Sequence, residues 1–292
     1  MTKKAIVIGS GFAGLSAASF LAKAGWDVTV LEKHNQPGGR ARQFKVDGFT
    51  FDMGPSWYWM PDVFERYFKQ FGRKVSDYYQ LIRLDPSYRI VWNDGPMDIP
   101  ADYNAFRNLF DSIEPGSGDK LDQYIGEAAY KYQVGINKLV FKPGQSLTEF
   151  LDKELVSGIF RLDVFNSIKT HVAKHFSNPK LKELMEFPVL FLGALPEDTP
   201  ALYSLMNYAD IKGGTWYPEK GMYQIVEAMY LLAVELGVKF KFEQEVTNVT
   251  IHDKSISTVI ANTTEDGIKV PKMYKADAVS YTHLTLPTIL RV

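Results

Sequence analysis

Three glycines at Gly9-x-Gly11-x-x-Gly14 lie between the apolar run Ala5-Ile-Val-Ile and an Ala- and Leu-rich stretch over 15–24, and they leave this chain few ways to begin. The apolar run reads as a strand covered on both faces in a parallel sheet. The stretch after the glycines reads as a helix that Gly25 stops. Val28-Thr-Val-Leu is a second buried strand, so the first 32 residues predict one right-handed β-α-β unit. In such a unit the first glycine makes the tight turn and the second lets the backbone approach a pyrophosphate. Ala18, four positions past Gly14, lets the helix close on the sheet. The helix N-terminus offers free N–H groups and a partial positive charge to an anion. Glu32 ends the second strand 23 positions after Gly9, where a carboxylate can accept hydrogen bonds from both ribose hydroxyls and disfavours a 2′-phosphate. These features together predict a dinucleotide site.

The glycine triplet alone suits a nicotinamide or a flavin dinucleotide. Gly38-Gly39-Arg40, in a loop that begins at Pro37, separates the two. Two residues without a Cβ bring the chain close to a cofactor, and a guanidinium follows that can clamp phosphate bidentately. Arg42 adds a second basic group. This placement favours FAD.

Composition closes other routes. The 33 Lys and Arg against 34 Asp and Glu give a net charge of -1, so charge does not draw the chain to nucleic acid, and none is expected as a partner. With no Cys, disulfides, thiolate zinc sites, iron–sulfur clusters and a cysteine nucleophile are excluded. His171-Val-Ala-Lys-His175 has the spacing of a metalloprotease pair but Val172 where the Glu belongs, so an exposed helix face is expected and no metal site. The pairs Glu197-Asp198 and Glu265-Asp266 read as solvated turns. The longest apolar run, 187–195, is nine residues and is broken by Pro188 and Gly193, far short of the roughly 20 that span a bilayer. Met1-Thr-Lys-Lys leads straight into the first strand without a signal-peptide core, and a cytoplasmic location is expected.

The 292 residues, 46% hydrophobic and 14% aromatic, are enough for two domains. Asp47-Gly48 predicts a hairpin of 43–46 with 49–52, and Asn93-Asp-Gly-Pro a second of 88–92 with the strand from Met97. Helices are expected over 119–140, 147–155, 161–171, 179–185 and 221–236, and strands over 238–242 and 245–251. The fold class is α/β: a Rossmann-like FAD-binding domain with an inserted mixed α+β domain. The expected division is 1–60 and 214–279 for the FAD-binding domain, 61–213 for the substrate and membrane-facing domain, and 280–292 for a non-native tail.

Ala5-Ile-Val-Ile-Gly-Ser-Gly-Phe-Ala-Gly-Leu-Ser-Ala-Ala, Val30-Leu-Glu-Lys, Pro37-Gly-Gly-Arg-Ala and Phe51-Asp-Met-Gly-Pro-Ser resemble the bacterial-type phytoene desaturases of the amine-oxidase-like flavoprotein superfamily. Trp216-Tyr-Pro-Glu-Lys-Gly-Met and Glu245-Val-Thr-Asn-Val are similar to that family's return into the FAD domain. The resemblance runs from residue 3 to about 279, and it implies that the inserted mixed α+β domain is the substrate domain and that the C-terminal part of the fold is missing. It implies FAD-dependent desaturation of phytoene or a related polyene, with hydride passing to the flavin and a dry tunnel supplied by the protein. It places cofactor contacts at Gly9, Gly11, Ala13, Gly14, Glu32, Lys33, Gly39, Arg40, Gly54, Pro55, Ser56 and Val246. Among these, Val246 would meet the adenine, Glu32 the ribose, and Gly11 and Arg40 the phosphates. Three bulky aromatics in a row cannot share one core, so Trp57, Tyr58 and Trp59 are expected to include part of the tunnel wall. The runs 187–195 and 202–206 are read either as a monotopic patch, peripheral on the inner face of a membrane, or as buried helices.

Other readings are a carotenoid isomerase or ketolase, a flavin amine oxidase, and an inactive FAD-fold protein. Residues 279–288, Val-Ser-Tyr-Thr-His-Leu-Thr-Leu-Pro-Thr, look like the translation of a transposon adaptor, where the resembled family would continue its strand.

Overall fold

The computed structural model describes residues 2–142, 161–252, 255–265 and 268–281. The helix expected over 147–155, Asp266, and the tail beyond Tyr281 lie outside these. The described residues fall into two compact units, one drawn from Met1–Tyr58, Val63–Ile82 and Tyr217–Val292, the other from Trp59–Asp62 and Arg83–Trp216.

The first unit is built on strand β1 (Lys4–Ile8), helix α1 (Phe12–Lys23) and strand β2 (Asp27–Leu31). β1 and β2 pair in parallel from Lys4↔Asp27 to Ile8↔Leu31. Two parallel strands from the far end of the chain flank them: Lys239–Lys241 beside β2 and Ala278–Tyr281 beside β1. That last strand carries two residues, Ser280 and Tyr281, of the segment expected to be non-native. Successive side chains point to opposite faces, and both faces are covered. Ala5, Val7, Val28 and Val30 pack with Ala18 and Ala233, while Ile6 and Leu31 pack with Val259 and Ala261 of an antiparallel three-stranded sheet. Each fully buried Val or Leu here contributes about 1.5–3 kcal/mol.

Gly14 is what lets α1 sit this close. A Cβ there would lie 2.1 Å from the Gly9 carbonyl oxygen. The hairpin of β3 (Gln43–Val46) and β4 (Phe49–Asp52) forms as expected, with Asp47 at φ 50 and Gly48 at φ 81 in the turn. The structure moves residues 63–82 from the inserted domain to the first unit. The physical reason is aromatic packing: Phe64 lies 6.3 Å from Phe12, Phe68 is buried, and the Tyr67 hydroxyl donates to Ser19 Oγ at 3.0 Å.

The second unit combines the hairpin Tyr88–Trp92/Gly95–Ile99 with helices Tyr103–Ile113, Ser117–Val134, Ile168–His175 and Pro179–Glu186. Phe106, Phe110, Leu121, Tyr124, Val172 and Phe176 lie in its core. Of the helix expected over 161–171, Arg161 and Leu162 are helical, the helix breaks over 163–167, and a new one begins at Ile168, where Ser167 Oγ caps it by accepting from the Thr170 N–H at 3.2 Å. Ser117–Val134 runs on into a π turn over Gly135–Leu139. Among the described residues no helix is long and apolar enough to cross a membrane.

Replacing Gly14 by Ala is expected to lower the unfolding free energy by about 3 kcal/mol through overpacking. Gly25→Ala, at φ +86 with nothing within 4 Å of the added carbon, should lose only about 1 kcal/mol. Equal losses in urea titrations of the two variants would contradict this account.

Candidate functional site

Four separate stretches of sequence meet in the first unit. The turn after β1 hangs from β2, with Gly9 at φ 89 and its N–H donating to the Leu31 carbonyl at 2.8 Å. No side chain caps α1 at Gly11, so its first amides remain donors for an anion. The Gly38-Gly39-Arg40 loop then closes over this turn: Gly38 N–H donates to the Ser10 carbonyl at 2.8 Å. Gly38 and Gly39 take φ 119 and 57, and a Cβ on Gly39 would lie 3.2 Å from Gly11 Cα. Arg42 braces the loop by donating from Nε to the Gly39 carbonyl at 2.7 Å, a structural use of the second basic group. Arg40 and Lys33 are exposed, as is Ala13 in the first turn of α1.

The third stretch is Asp52-Met-Gly-Pro-Ser. Gly54, at φ 92, leaves room for the Arg40 carbonyl oxygen, which a Cβ would approach to 2.4 Å. Pro55 and Ser56 follow at the surface. Asp52 accepts from the amides of Met222 and Tyr223 at 2.7 and 3.3 Å, capping the helix Tyr223–Glu235 of the fourth stretch. Gly221 makes this approach feasible, since a Cβ there would lie 2.7 Å from Asp52 Oδ2. Asp52 was not singled out from the sequence. The signal was its place in Phe51-Asp-Met-Gly-Pro-Ser, but its partners stand 170 and 171 residues away.

Glu32 is 4% exposed at the end of β2. Its Oε2 accepts from both the amide and the hydroxyl of Ser10 at 2.7 Å, and its Oε1 accepts from the His34 amide at 3.0 Å. A carboxylate has about four acceptor sites, so one, on Oε1, remains for a ribose hydroxyl. Backbone bonds fix the segment on both sides: Glu32 N–H to Lys241 O at 2.9 Å and Gln244 N–H to Glu32 O at 2.8 Å. They bring Val246, half-buried and pairing with Ala261 beside a bulge, within two residues of Gln244, whose amide bonds to the Glu32 carbonyl. Ser10 is the residue sequence reasoning missed here.

These residues fit a dinucleotide. Backbone meets backbone without side chains at Gly11 and Gly39, the helix amides are uncapped, and a buried carboxylate is preset by three donors.

The aromatic run divides between the units. Trp57 is half-buried. Tyr58 is core rather than tunnel wall: it is buried, its hydroxyl pairs with that of Tyr79 at 2.9 Å, and its ring lies 5.0 Å from Phe64. Trp59, in the second unit, donates from Nε1 to Thr215 Oγ1 at 2.9 Å and meets Phe191 and Phe187 edge-on at 5.1 and 6.5 Å.

The two histidines are not on an exposed face. His171 is 3% exposed, and His175 is also buried. Lys131 Nζ lies 3.4 Å from His171 Nε2 and donates to Ala201 O and Ser204 Oγ, both at 3.1 Å, while His171 Nδ1 faces Asp163 at 3.1 Å. This geometry suits a neutral ring that donates from Nδ1 and accepts at Nε2. Burial, with Lys131 beside it, lowers the His171 pKa to about 4.

A doubly glycine-lined turn, a buried carboxylate held at the end of β2 and a return segment that completes the parallel sheet define an FAD-type dinucleotide-binding protein. The chain belongs to the flavin-containing amine oxidoreductase family, which it matches over residues 12–282. FAD is the cofactor that this family and this site share. The chain is similar to a carotenoid 3,4-desaturase of Haloarcula japonica, at 40% identity over 88% of this chain and 53% of that protein. It is 33% identical to a zeta-carotene-forming phytoene desaturase of Myxococcus xanthus, over 85% of this chain and 48% of the relative. The chain thus spans about half the length of these curated relatives. A solved oxidoreductase from Methanosarcina mazei shares the fold, with a TM-score of 0.59 at 21% identity, covering 94% of this chain and 58% of its own.

Protonating His171 is disfavoured in the fold, so its stabilising effect is complete above the unfolded value near 6.5 and is lost as pH falls toward 4. Between pH 7 and pH 5 the wild type should lose about 2 kcal/mol from this group. His171→Gln should lose correspondingly less over the same interval, and parallel pH slopes in urea titrations would contradict the assignment.

Proposed function

We propose that this chain carries the FAD-binding and substrate-facing parts of a carotenoid desaturase that removes a hydride and a proton from adjacent carbons of a long polyene. The observation that carries this reading is the convergence of the four stretches about Gly11, Gly39, Glu32 and Asp52, the same stretches on which the sequence resembles phytoene desaturases. The names of the Haloarcula and Myxococcus relatives point to the same substrate class. FAD, when bound, would supply the oxidising, hydride-accepting chemistry. The chain's own residues do the rest. Glu32 would hold the ribose, the uncapped end of α1 would offer its amides to the pyrophosphate, and Arg40, exposed beside Gly39, would supply a guanidinium to it. Gly54, Pro55 and Ser56 follow the Arg40 loop, and Val246 offers its backbone to the adenine.

A neutral hydrocarbon resides in lipid, and the second unit has a surface for it. Leu190, Phe191, Leu192 and Leu195 are 61%, 50%, 44% and 56% exposed, although Pro188 and Val189 beside them are buried. The run 187–195 is therefore neither a buried helix nor a spanning one. A short 3-10 helix over Phe187–Leu192 and the turn after it present four apolar side chains, suited to a peripheral contact with a bilayer.

Anaerobic mixing of the flavin-loaded chain with phytoene should bleach the flavin, and a simple primary amine should not. Bleaching by the amine alone, or by neither, would overturn the desaturase reading. Glu32→Ala should weaken FAD binding by about 10- to 100-fold, the worth of a hydrogen bond to a charged group, measured by equilibrium titration. Leu190→Ser with Leu195→Ser should leave FAD binding unchanged and reduce co-flotation with phospholipid vesicles several-fold, and unchanged flotation would remove the patch from this role.

A further inference from the structure

Asp210 is a carboxylate that the cofactor site does not use. It sits in a π turn, Ala209–Gly213, a backbone form that is rare and concentrated at functional positions. Its side chain is 3% exposed. Tyr88 donates its hydroxyl to Asp210 Oδ2 at 2.8 Å, and Thr215 Oγ1 donates to Oδ1 at 2.7 Å. Thr215 Oγ1 in turn accepts from Trp59 Nε1 at 2.9 Å. The Arg83 guanidinium lies close by, donating to the carbonyls of Thr215 and Ala101 at 3.2 and 3.3 Å. Gly214, at φ +95, makes room for it, since a Cβ would fall 1.8 Å from Arg83 Nη1. Burial raises the Asp210 pKa to about 6, opposed by hydrogen bonding from Thr215 and Tyr88, by the Arg83 charge and by the Trp59 N–H, which also reaches the carboxylate.

Both arms of this network end on the same aromatic surface. Thr215 fixes the indole of Trp59, whose ring meets Phe187 and Phe191, and Tyr88 packs on Phe187 at 5.3 Å. An indole N–H is a donor only, so a Trp facing an apolar ligand holds one orientation only if an acceptor behind it is fixed. A hydrocarbon carries no polar group by which a site could choose among its carbons. Shape is then the only discriminator, and one methylene in an apolar pocket is worth about 10- to 200-fold.

We propose that Asp210 is a positioning residue: through Thr215 and Tyr88 it locks the Trp59–Phe187–Phe191 wall and so sets which carbons of a long apolar substrate are oxidised. This rests on the desaturase reading for the identity of the substrate, but not for the hold on Trp59.

Two readouts on the flavin-loaded full chain test it. The chain has five Trp, so Trp59 is isolated as the difference in emission between each protein and its Trp59→Phe counterpart. In Asp210→Asn and Thr215→Val that difference should shift to the red and become more readily quenched by acrylamide. Thr215→Ser, which keeps the hydroxyl, should restore the wild-type signal. The selectivity for the position of the new double bond should fall by about tenfold in the same two variants, with FAD content unchanged and Thr215→Ser again restoring it. Unchanged Trp59 emission would overturn the positioning role. A shifted emission with an unchanged product pattern would overturn the control of register. If the wild type oxidises no polyene, the desaturase reading fails and register control with it, while the emission arm still decides whether Asp210 holds Trp59.

Discussion

Backbone meets backbone at Gly11 and Gly39, and the cofactor unit depends on that approach. A methyl group at residue 39 would crowd Gly11 Cα at 3.2 Å, and one at residue 14 would collide with the Gly9 carbonyl. The remaining parts of the site act to keep the two loops pressed together. Arg42 arches one loop from beneath, Gly38 bonds to Ser10 across the gap, and Gly54 lets the end of β4 lie on Arg40. Asp52 then ties this assembly to the helix Tyr223–Glu235, so the return segment is anchored by a charge at a helix N-terminus, where a negative charge is stabilised by the aligned peptide dipoles.

The second unit is organised on another principle. Its core holds Lys131, His171 and Asp210, each buried and each given hydrogen-bond partners. Buried ionisable groups rarely increase net stability over well-packed apolar ones, and removing a partner is costly because the remaining charge is stranded. What such groups do supply is direction. Lys131 ties the helix Ser117–Val134 to the turn at Ala201–Ser204, and Asp210 ties the hairpin strand at Tyr88 to Thr215.

The β-α-β unit, the hairpin turn at Asp47-Gly48 and Glu32 were legible in the sequence because each rests on local chemistry: periodicity, turn conformation, and a short spacing along the chain. Ser10 and Asp52 were not. Their partners become neighbours only after the sheet forms, and a Ser inside a glycine motif or an Asp at a strand end has no distinctive pattern. The histidine pair misled for a related reason. His171 and His175 share one helix face by spacing, but whether that face is covered depends on Lys131 and Asp163, brought there by other parts of the chain. Tyr58 and Trp59 were read as one cluster, yet adjacent residues of an extended segment project in opposite directions, and here they enter different units. The start of the helix at Ile168 could have been read from Ser167, whose capping chemistry is local.

The central strand β1 pairs on one side with β2, a few tens of residues away, and on the other with a strand in which Ala278 faces Ala5 and the Asp277 carboxylate accepts from the Lys4 amide at 2.7 Å. The separation of 273 residues makes that edge among the least local contacts a chain of this length can form. Loop-closure entropy opposes such pairing until intervening chain is compact. During synthesis from the N-terminus, β1 must therefore wait, half-paired, while the residues of the second unit emerge and fold. Order of assembly is thus written into the strand order: the inserted unit can be complete before the sheet that frames it.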